Sequence, residues 1–456
     1  MLKKIILSLF LGSVISCNNL LEVDLPTDQI TKDLVFKDEK LAKSAMAGVY
    51  RNLDETGFLS GSSMGGGYYL GCYTDELISF GLPTSNPNQL YQLNIHPLSG
   101  VVKSLWGTTY NQILNINSIV EGLEKSSAIS TKVKSQLTGE SLFLRALLHV
   151  YLVNVYNKVP YVISTDYTIN STISSQPKDN VLKLAQEDAE KALLLLPDNK
   201  IKGQRITPTK ATALALLSRI SLYQGNWQKS IDFSSMIIND SNYPLETDLK
   251  KVFLKEGSSV IWAFQSITGQ VSTKEASTYI FNAAPPTNVS LASSLVNSFD
   301  PVDKRLNEWI GNKQDTQGKI YYFAYKYKQD KPTSTPLEYS AILRAEEQYL
   351  IRAEAHLKLG IKDKALIDLN TIRIRAGILP VITTDDTTIL NAILEERRHE
   401  LFTEYGHRFI DLKRTGTLSP MMKQVKPQWL DKFQSFPLPE SELLLNPKLG
   451  PQNEGY

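Results

Sequence analysis

The sequence predicts a mainly α-helical protein in which paired helices form a scaffold that carries two irregular segments. Three observations support this prediction. Apolar residues recur at helical spacing along much of the chain. Several helix pairs carry the small residues that close helix packing requires. Two long segments, 57–104 and 245–338, interrupt the helical pattern with glycine and proline set among aromatic residues.

The helical segments come first, because they define the scaffold. Residues 41–53 and 105–123 place apolar side chains at the three- and four-residue spacing of an amphipathic helix. Stronger helical patterns occupy about 135–157, 178–196, 209–225, 227–239, 340–359, 362–375 and 387–405.

Several of these helices pair as in a tetratricopeptide repeat. In that repeat the second helix carries small side chains where the two helices cross, and a proline follows its end. Ala185, Ala189, Ala192 and Pro197 fit this spacing. The predicted repeat-like units span about 135–197, 207–242 and 341–378.

The two irregular segments are predicted to be functional. Irregular connections of this length are uncommon and usually carry function. The second segment contains two strand-like runs, 260–264 and 320–325. Trp106 and Trp262 are expected in the core, because Trp106 follows a helical period and Trp262 lies inside an apolar strand.

The charge balance argues against a nucleic-acid partner. The chain has 456 residues, with 49 basic and 47 acidic side chains, and a net charge of +2. Lys3 and Lys4 lie in an opening segment without acids, so a chain that begins at Cys17 has no net charge. Binding many phosphates needs a basic excess on at least one face. We therefore expect no nucleic-acid partner.

The first seventeen residues resemble the export signal of a bacterial lipoprotein. Two lysines precede an apolar run, 5–11, that is too short to span a membrane. Residues 14–17, Val-Ile-Ser-Cys, resemble a lipobox, in which the cysteine becomes the lipidated N-terminus. We expect residues 1–16 to be a signal peptide and Cys17 to be the lipid attachment site. Only Cys72 remains, which excludes a disulfide framework.

Motifs that suggest catalysis lack the context that catalysis needs. Residues 61–65 match G-x-S-x-G, but no buried strand precedes the serine, so the segment is interpreted as a flexible loop. His399 and Glu400 begin like a zinc-protease helix, but Thr403 replaces the second histidine ligand. Glycines 65–67 lack the Lys-Ser/Thr of a phosphate loop. We predict no catalytic residue, no metal site and no cofactor.

Residues 395–416 carry charged side chains into an otherwise apolar helix face. Buried charges need partners, and arginine pairs with carboxylates through two hydrogen bonds. The predicted structural ion-pair network consists of Arg397, Glu404, Arg408 and Asp411. We expect it to pin two helical segments around Gly406 rather than to act in catalysis, because the arginines neutralise their neighbours.

The same region resembles the SusD/RagB family of nutrient-binding lipoproteins of Bacteroidetes-type bacteria. The family pattern E-R-R-x-E-L-x-x-E-x-G-x-R-x-x-D-L-K-R runs from Glu396 to Arg414. Further blocks match in the family's order at 144–146, 158–160, 352–355, 369–377, 436–439, 446–447 and 452–456. The chain departs from the pattern at 157–158, where the family often has Gly followed by an acidic residue.

The resemblance implies a tetratricopeptide-like right-handed α-superhelix of about four helix pairs, with a large irregular lobe that contains short strands. Members are lipid-anchored at the outer membrane, face the cell exterior and cover a TonB-dependent SusC-like transporter. The repeat side contacts the transporter, and the irregular lobe binds the nutrient, most often an oligosaccharide. Members have no catalytic role, so no enzyme activity is expected.

Applied to this chain, the resemblance implies one SusD-like domain over 17–456. Its expected parts are a scaffold at about 35–56, 105–242 and 340–416, ligand-binding insertions at 57–104 and 245–338, and a C-terminal tail at 417–456.

Aromatic residues in the insertions are the candidate ligand contacts. Sugar rings stack their apolar faces on aromatic planes, and their hydroxyls need amide or carboxylate partners. The candidates are Tyr68, Tyr69, Tyr73, Phe80, Tyr91, Tyr279 and Trp309. Each of these rings has packing in the core as its alternative role.

Two other functions stay open at this point. Some relatives are thought to serve peptide importers, so the ligand is an oligosaccharide or a peptide. A surface glycoside hydrolase is the third hypothesis, since any two of the 47 acidic side chains could meet in the fold.

Overall fold

The structure, a computed structural model of the chain, describes residues 32–198, 205–266 and 273–456. The predicted signal peptide and Cys17 lie outside the described residues. Helices dominate the described ranges, as predicted. None of the helices in these ranges is long and apolar enough to cross a membrane.

The helices fall into four groups along the chain. The first contains α1 (Lys32–Val35), α2 (Glu39–Glu55), α3 (Gly66–Tyr73), α4 (Asn86–Tyr91) and α5 (Gly100–Lys125). The second contains α6 (Thr131–Tyr156), α7 (Tyr167–Asn170), α8 (Lys178–Leu195), α9 (Lys210–Gln224) and α10 (Trp227–Ile238). The third contains α11 (Lys274–Tyr279), α12 (Ser293–Val296) and α13 (Lys304–Trp309). The fourth contains α14 (Ala345–Lys358), α15 (Lys362–Ala376), α16 (Asp386–Leu401), α17 (His407–Arg414), α18 (Leu418–Val425) and α19 (Glu440–Leu445).

The predicted helix pairs are confirmed. Helix α8 packs along α6, α10 along α9 and α15 along α14, and neighbouring pairs stack through α8 with α9 and α10 with α14. Ala185, Ala189 and Ala192 are fully buried on α8, which lets the helices approach closely. Between the same two helices, Arg145 and Asp188 form a bidentate ion pair with N–O distances of 2.7 and 2.8 Å.

Helix α6 ends in a turn at the sequence departure 157–158. Asn157 follows the last helical residue and has a φ of 71° and a ψ of −46°. A positive φ is adopted most readily by glycine, and Asn157 adopts it here. The chain therefore turns at this point although it departs from the family pattern.

In the described ranges the strands are short and form three sheets. They are β1 (Leu77–Ser79), β2 (Lys158–Val159), β3 (Gln176–Pro177), β4 (Val260–Phe264), β5 (Val289–Leu291), β6 (Ile310–Gln314), β7 (Ile320–Ala324) and β8 (Ser340–Arg344). Strands β1, β5, β7 and β6 form an antiparallel sheet in that order, which joins the two irregular segments. The strand-like runs 260–264 and 320–325 are confirmed as β4 and β7.

The first irregular segment is more ordered than predicted, and its glycines show why. A Cβ atom on Gly65 would lie 1.8 Å from the carbonyl oxygen of Ser60, and one on Gly67 would lie 2.4 Å from that of Thr403. Backbone segments therefore approach too closely for any side chain. Residues 61–65 lie between α2 and α3, outside any helix or strand, so the predicted loop is confirmed.

One hydrophobic core runs through the scaffold and the irregular segments. Trp106 and Trp262 are 3% and 0% exposed and belong to this core, as predicted. A smaller apolar cluster lies among α14, α15 and α16.

The charged side chains of 395–416 are buried and ion-paired. Arg397 Nε lies 2.7 Å from Asp411 Oδ2, which joins α16 to α17. Glu404, between these helices, lies 2.9 Å from Arg344 Nε and 2.5 Å from Lys326 Nζ.

Arg408 completes the predicted set but pairs elsewhere. Its Nη2 lies 2.8 Å from Asp75 Oδ2, in the turn before β1. Among the described residues, only Arg397 and Asp411 of the four predicted members pair with each other. The network therefore reaches beyond Gly406 and ties this segment to β8 and to the first irregular segment.

Candidate ligand-binding site

Five of the seven candidate aromatic residues are buried in the core. Exposed fractions do not exceed 4% for Tyr68, Tyr69, Tyr73, Tyr279 and Trp309. The Tyr73 hydroxyl donates to the carbonyl of Phe433, and Trp309 Nε1 donates to that of Leu249. Because these rings are covered by protein, they serve packing and offer no face to a ligand.

Phe80 and Tyr91 are the two candidates that remain partly exposed. Phe80 follows β1 directly, and its ring centroid lies 5.7 Å from that of Tyr321, edge to face. Tyr91 ends α4, and Lys426 Nζ lies 4.7 Å from its ring centroid. Of these two, only Phe80 belongs to a larger group of surface rings.

That group, the outer aromatic cluster, lies on one face of the four-stranded sheet. It consists of Phe80, Phe281, Tyr321, Phe323 and Tyr325. The rings of Phe281 and Phe323 are 5.0 Å apart, and those of Phe323 and Tyr325 are 5.8 Å apart. None of the five joins the two hydrophobic clusters of the described residues, although Tyr321 and Phe323 are themselves buried.

Strand alternation places two of these rings on one face of the sheet. Tyr321 and Phe323 are two residues apart on β7 and therefore point to the same face. Tyr322 points to the other face, opposite Leu291, and packs on the core. Gly311 is the cross-strand neighbour of Phe323, and a Cβ atom there would lie 2.3 Å from the Phe323 ring. Because Gly311 has no side chain, the Phe323 ring can lie directly against its backbone.

Charged and polar groups border the cluster. Lys319 Nζ lies 5.0 Å from the ring centroid of Tyr321, and Lys328 Nζ lies 5.2 Å from that of Tyr325. The Tyr321 hydroxyl donates to Asp315 Oδ2 at 3.2 Å. The surface thus combines aromatic planes with hydrogen-bonding groups, which is the combination that recognises a ring with apolar faces and hydroxyl edges.

Buried ion pairs fix the turn before β1, the strand that Phe80 follows directly. Asp75 accepts hydrogen bonds from Arg398 Nη2 at 2.9 Å and from Arg408 Nε at 2.9 Å. Burial acts to raise the pKa of Asp75, but the hydrogen bonds and charge of Arg408 outweigh it and keep this pKa below its usual value. Next to it, burial and the Asp75 charge raise the pKa of Glu76 to about 7.

Metal ligands and thiols are the other candidates for chemistry among the described residues. Within the described ranges, no group of three or more His, Cys, Asp or Glu side chains could hold a metal ion. Cys72 is a buried free thiol, and burial raises its pKa to about 12, so it is not a reactive thiolate.

Sequence reasoning identified one of the five cluster residues, Phe80. Tyr321, Phe323 and Tyr325 lie in the strand-like run 320–325, and their two-residue alternation was the signal that could have placed them on one face. No local signal marks Phe281, because its place depends on contact with Phe323.

Two protein-family models match the chain. Residues 68–222 match a model described as "Starch-binding associating with outer membrane". Residues 306–456 match the model of the SusD family, and this match includes the charged segment 395–416. A SusD-like protein of Formosa agariphila is 24% identical over 418 residues, which cover 78% of this chain and 81% of the relative.

Solved structures share the fold. A SusD superfamily protein from Bacteroides vulgatus superposes with a TM-score of 0.77 at 21% identity, over 92% of this chain and 100% of that chain. A laminarin-binding SusD-like protein gives a TM-score of 0.75 at 22% identity, over 92% and 100%. Surface glycan-binding protein A from Bacteroides fluxus gives 0.75 at 19% identity, with the same coverage. The tetratricopeptide-like helical architecture is thereby confirmed. With both family models matched and the fold shared, the chain belongs to the SusD/RagB family.

Proposed function

We propose that this protein is a cell-surface nutrient-binding lipoprotein that captures an oligosaccharide and delivers it to a TonB-dependent SusC-like transporter. The observation that carries the proposal is the outer aromatic cluster, five rings gathered on one sheet face, three of them partly exposed. The family description of starch binding and the two glycan-binding structural relatives support the same ligand class.

The cluster suits a sugar for a physical reason. Tyr321 and Phe323 are only 8% and 7% exposed, so they form a firm base, while Phe80, Phe281 and Tyr325 present more of their rings to solvent. Aromatic rings fixed in this way stack on apolar sugar faces at little cost in side-chain entropy. Nearby lysines and Asp315 supply partners for hydroxyls.

The membrane and transporter parts of the proposal rest on the family and on the sequence. Cys17 is proposed as the lipid attachment site, with the outer membrane as location and the protein facing the exterior. A tagged protein should co-purify from solubilised outer membranes with a TonB-dependent barrel identified by mass spectrometry. Recovery of the tagged protein without any such barrel, under conditions that keep the anchor intact, would contradict delivery to a transporter.

Calorimetric titration tests the binding function. The chain from residue 17 onward should bind at least one of maltohexaose, laminarihexaose, cellohexaose and xylohexaose. Phe80→Ala and Tyr325→Ala should each weaken that binding by roughly tenfold, since each removes a stacking face. Tyr325→Phe keeps the ring and should bind as the unchanged protein does. Leu379→Ala, a 78% exposed position on another element, is the surface control.

The same purified protein distinguishes oligosaccharide binding from the two alternatives, glycoside hydrolysis and peptide binding. We propose that the protein has no catalytic activity, so long incubation with the bound hexasaccharide should release no new reducing ends. Release of sugars that disappears on changing one acidic residue would instead identify a glycoside hydrolase. Binding to random peptide mixtures with no binding to any glycan would overturn the sugar assignment in favour of a peptide.

A further inference from the structure

A concave surface lies on the helical scaffold, in elements separate from the outer aromatic cluster. This scaffold groove has a volume of about 430 Å³ and lies between α5, α7 and α19. The residues that matter here are Trp106, Tyr110, Tyr167, Asn170, Glu442 and Leu445. Its volume falls within the roughly 300–1,000 Å³ of small-molecule sites.

Aromatic rings form one wall of the scaffold groove. Trp106 and Tyr110 lie 4.8 Å apart between centroids, and the Tyr110 hydroxyl donates to the carbonyl of Pro160 at 2.8 Å. Both rings are therefore fixed. Trp106 packs mainly in the core, as predicted, and also borders the groove.

The Tyr167 side chain projects into solvent from the first residue of α7, and hydrogen bonds fix the loop before it. Its side chain is 78% exposed. Glu121 accepts hydrogen bonds from the backbone N–H and the hydroxyl of Thr165, at 2.7 and 2.6 Å, and the Asp166 carboxylate accepts from Thr168 N–H at 2.8 Å. The loop is thus fastened on both sides of a ring that packs little. The Tyr167 ring is therefore accessible to a ligand in the scaffold groove.

Polar groups in the scaffold groove favour a hydroxylated ligand. Asn170, whose Nδ2 donates to the carbonyl of Ser164, adds a side-chain amide to the lining. Asn111, Ser171 and Asn446 add further hydrogen-bonding groups.

The charges of the residues that line the scaffold groove favour an uncharged ligand. Among the described residues, no lysine or arginine lines the scaffold groove, and Glu442 is the only acidic one. An anionic ligand would meet this carboxylate without a compensating cation. Aromatic planes, amides and a single carboxylate together match a neutral sugar better than an acidic one.

We propose that the scaffold groove is a second carbohydrate site that binds a short neutral saccharide between Tyr167 and the Trp106–Tyr110 wall. The proposal does not depend on the outer aromatic cluster, because no residue is common to the two surfaces. It gives the protein two separate contacts for a glycan, one on the irregular lobe and one on the scaffold.

Calorimetric titration with maltotriose, laminaritriose, cellotriose and xylotriose tests the proposal. The double variant Phe80→Ala/Tyr325→Ala removes the outer contacts and should still bind at least one of these trisaccharides. Adding Tyr167→Ala should weaken that remaining binding by about tenfold or more. Adding Tyr167→Phe instead should leave it within about twofold, since the ring is kept. Thermal unfolding should be unchanged by either substitution, because Tyr167 packs little.

The outcomes separate this proposal from the proposed function. If the double variant binds none of the four trisaccharides, or if Tyr167→Ala leaves its binding unchanged, the second site is overturned. If Tyr167→Ala alone abolishes all binding while the double variant binds normally, the scaffold groove stands and the outer aromatic cluster fails as the main site. Leu379→Ala again serves as the surface control.

Discussion

Asp75 and Arg408 form a bidentate ion pair between residues 333 positions apart in the chain. Arg408 Nε and Nη2 donate to the two carboxylate oxygens of Asp75 at 2.9 and 2.8 Å. Arg398 Nη2 also donates to Asp75 at 2.9 Å. Because β1 begins two residues later and Phe80 follows it, the family's charged segment positions the outer aromatic cluster.

Asp75→Asn should lower the free energy of unfolding by roughly 3–5 kcal/mol, because Arg408 then lacks a buried carboxylate partner. Urea unfolding measures the change. The exposed carboxylate of Asp232, which accepts from Gln228, is the matched control, and Asp232→Asn should stay within about 0.5 kcal/mol. Equal effects of the two substitutions would contradict a structural role for the Asp75–Arg408 pair.

The raised pKa of Glu76 predicts that the stability of the folded protein depends on pH. Burial and the Asp75 charge raise its pKa to about 7 from an ordinary value of 4.5, so the folded protein holds a proton that the unfolded chain releases earlier. This contribution to stability is complete below about pH 4 and is lost as the pH rises through about 7.

Glu76→Gln removes that dependence. Relative to this variant, the unchanged protein should lose roughly 3 kcal/mol of unfolding free energy between about pH 4 and about pH 8. Urea unfolding of both proteins across this range measures the difference. Parallel stability curves would mean that the pKa of Glu76 is not raised.

The sequence was informative about local features and silent about distant contacts. Helix pairing followed from the spacing of Ala185, Ala189 and Ala192, which acts within one helix. Burial of Tyr73 depends on Phe433, whose carbonyl accepts its hydroxyl across 360 residues. No spacing rule connects such positions, so aromatic residues of the irregular segments could not be divided into core and surface from sequence.

Substitutions at two glycines with positive φ should distinguish the stability cost of backbone strain from that of a steric clash. Gly406 and Gly416 have φ of 77° and 73°. Gly416 has open space around it, so Gly416→Ala should cost only the left-handed strain of about 1–2 kcal/mol. A Cβ atom on Gly406 would lie 2.3 Å from Leu70 Cδ1, and Leu70 is fully buried. Gly406→Ala should therefore cost about 1–3 kcal/mol more. Equal losses in thermal or urea unfolding would show that the contact with Leu70 is unimportant.

Lipid attachment at Cys17 predicts a change of location without a change of fold. Cys17→Ala should leave the melting temperature and glycan binding unaltered but release the protein from washed outer membranes, since a helix able to span the bilayer is absent from the described ranges. Fractionation followed by immunoblotting measures the release. Retention of the variant in the washed membrane fraction would count against the anchor.

Gly311→Ala tests whether the arrangement of the outer aromatic cluster matters for binding. Its Cβ atom would lie 2.3 Å from the Phe323 ring, which must then move and disturb its contacts with Phe281 and Tyr325. We expect hexasaccharide affinity to fall by roughly tenfold and stability by about 1–3 kcal/mol. Gly48→Ala, in α2 with nothing within 4 Å, is the control and should bind normally. Unaltered affinity in Gly311→Ala would mean that the sugar does not lie on these rings, because a ligand stacked there must respond when Phe323 moves.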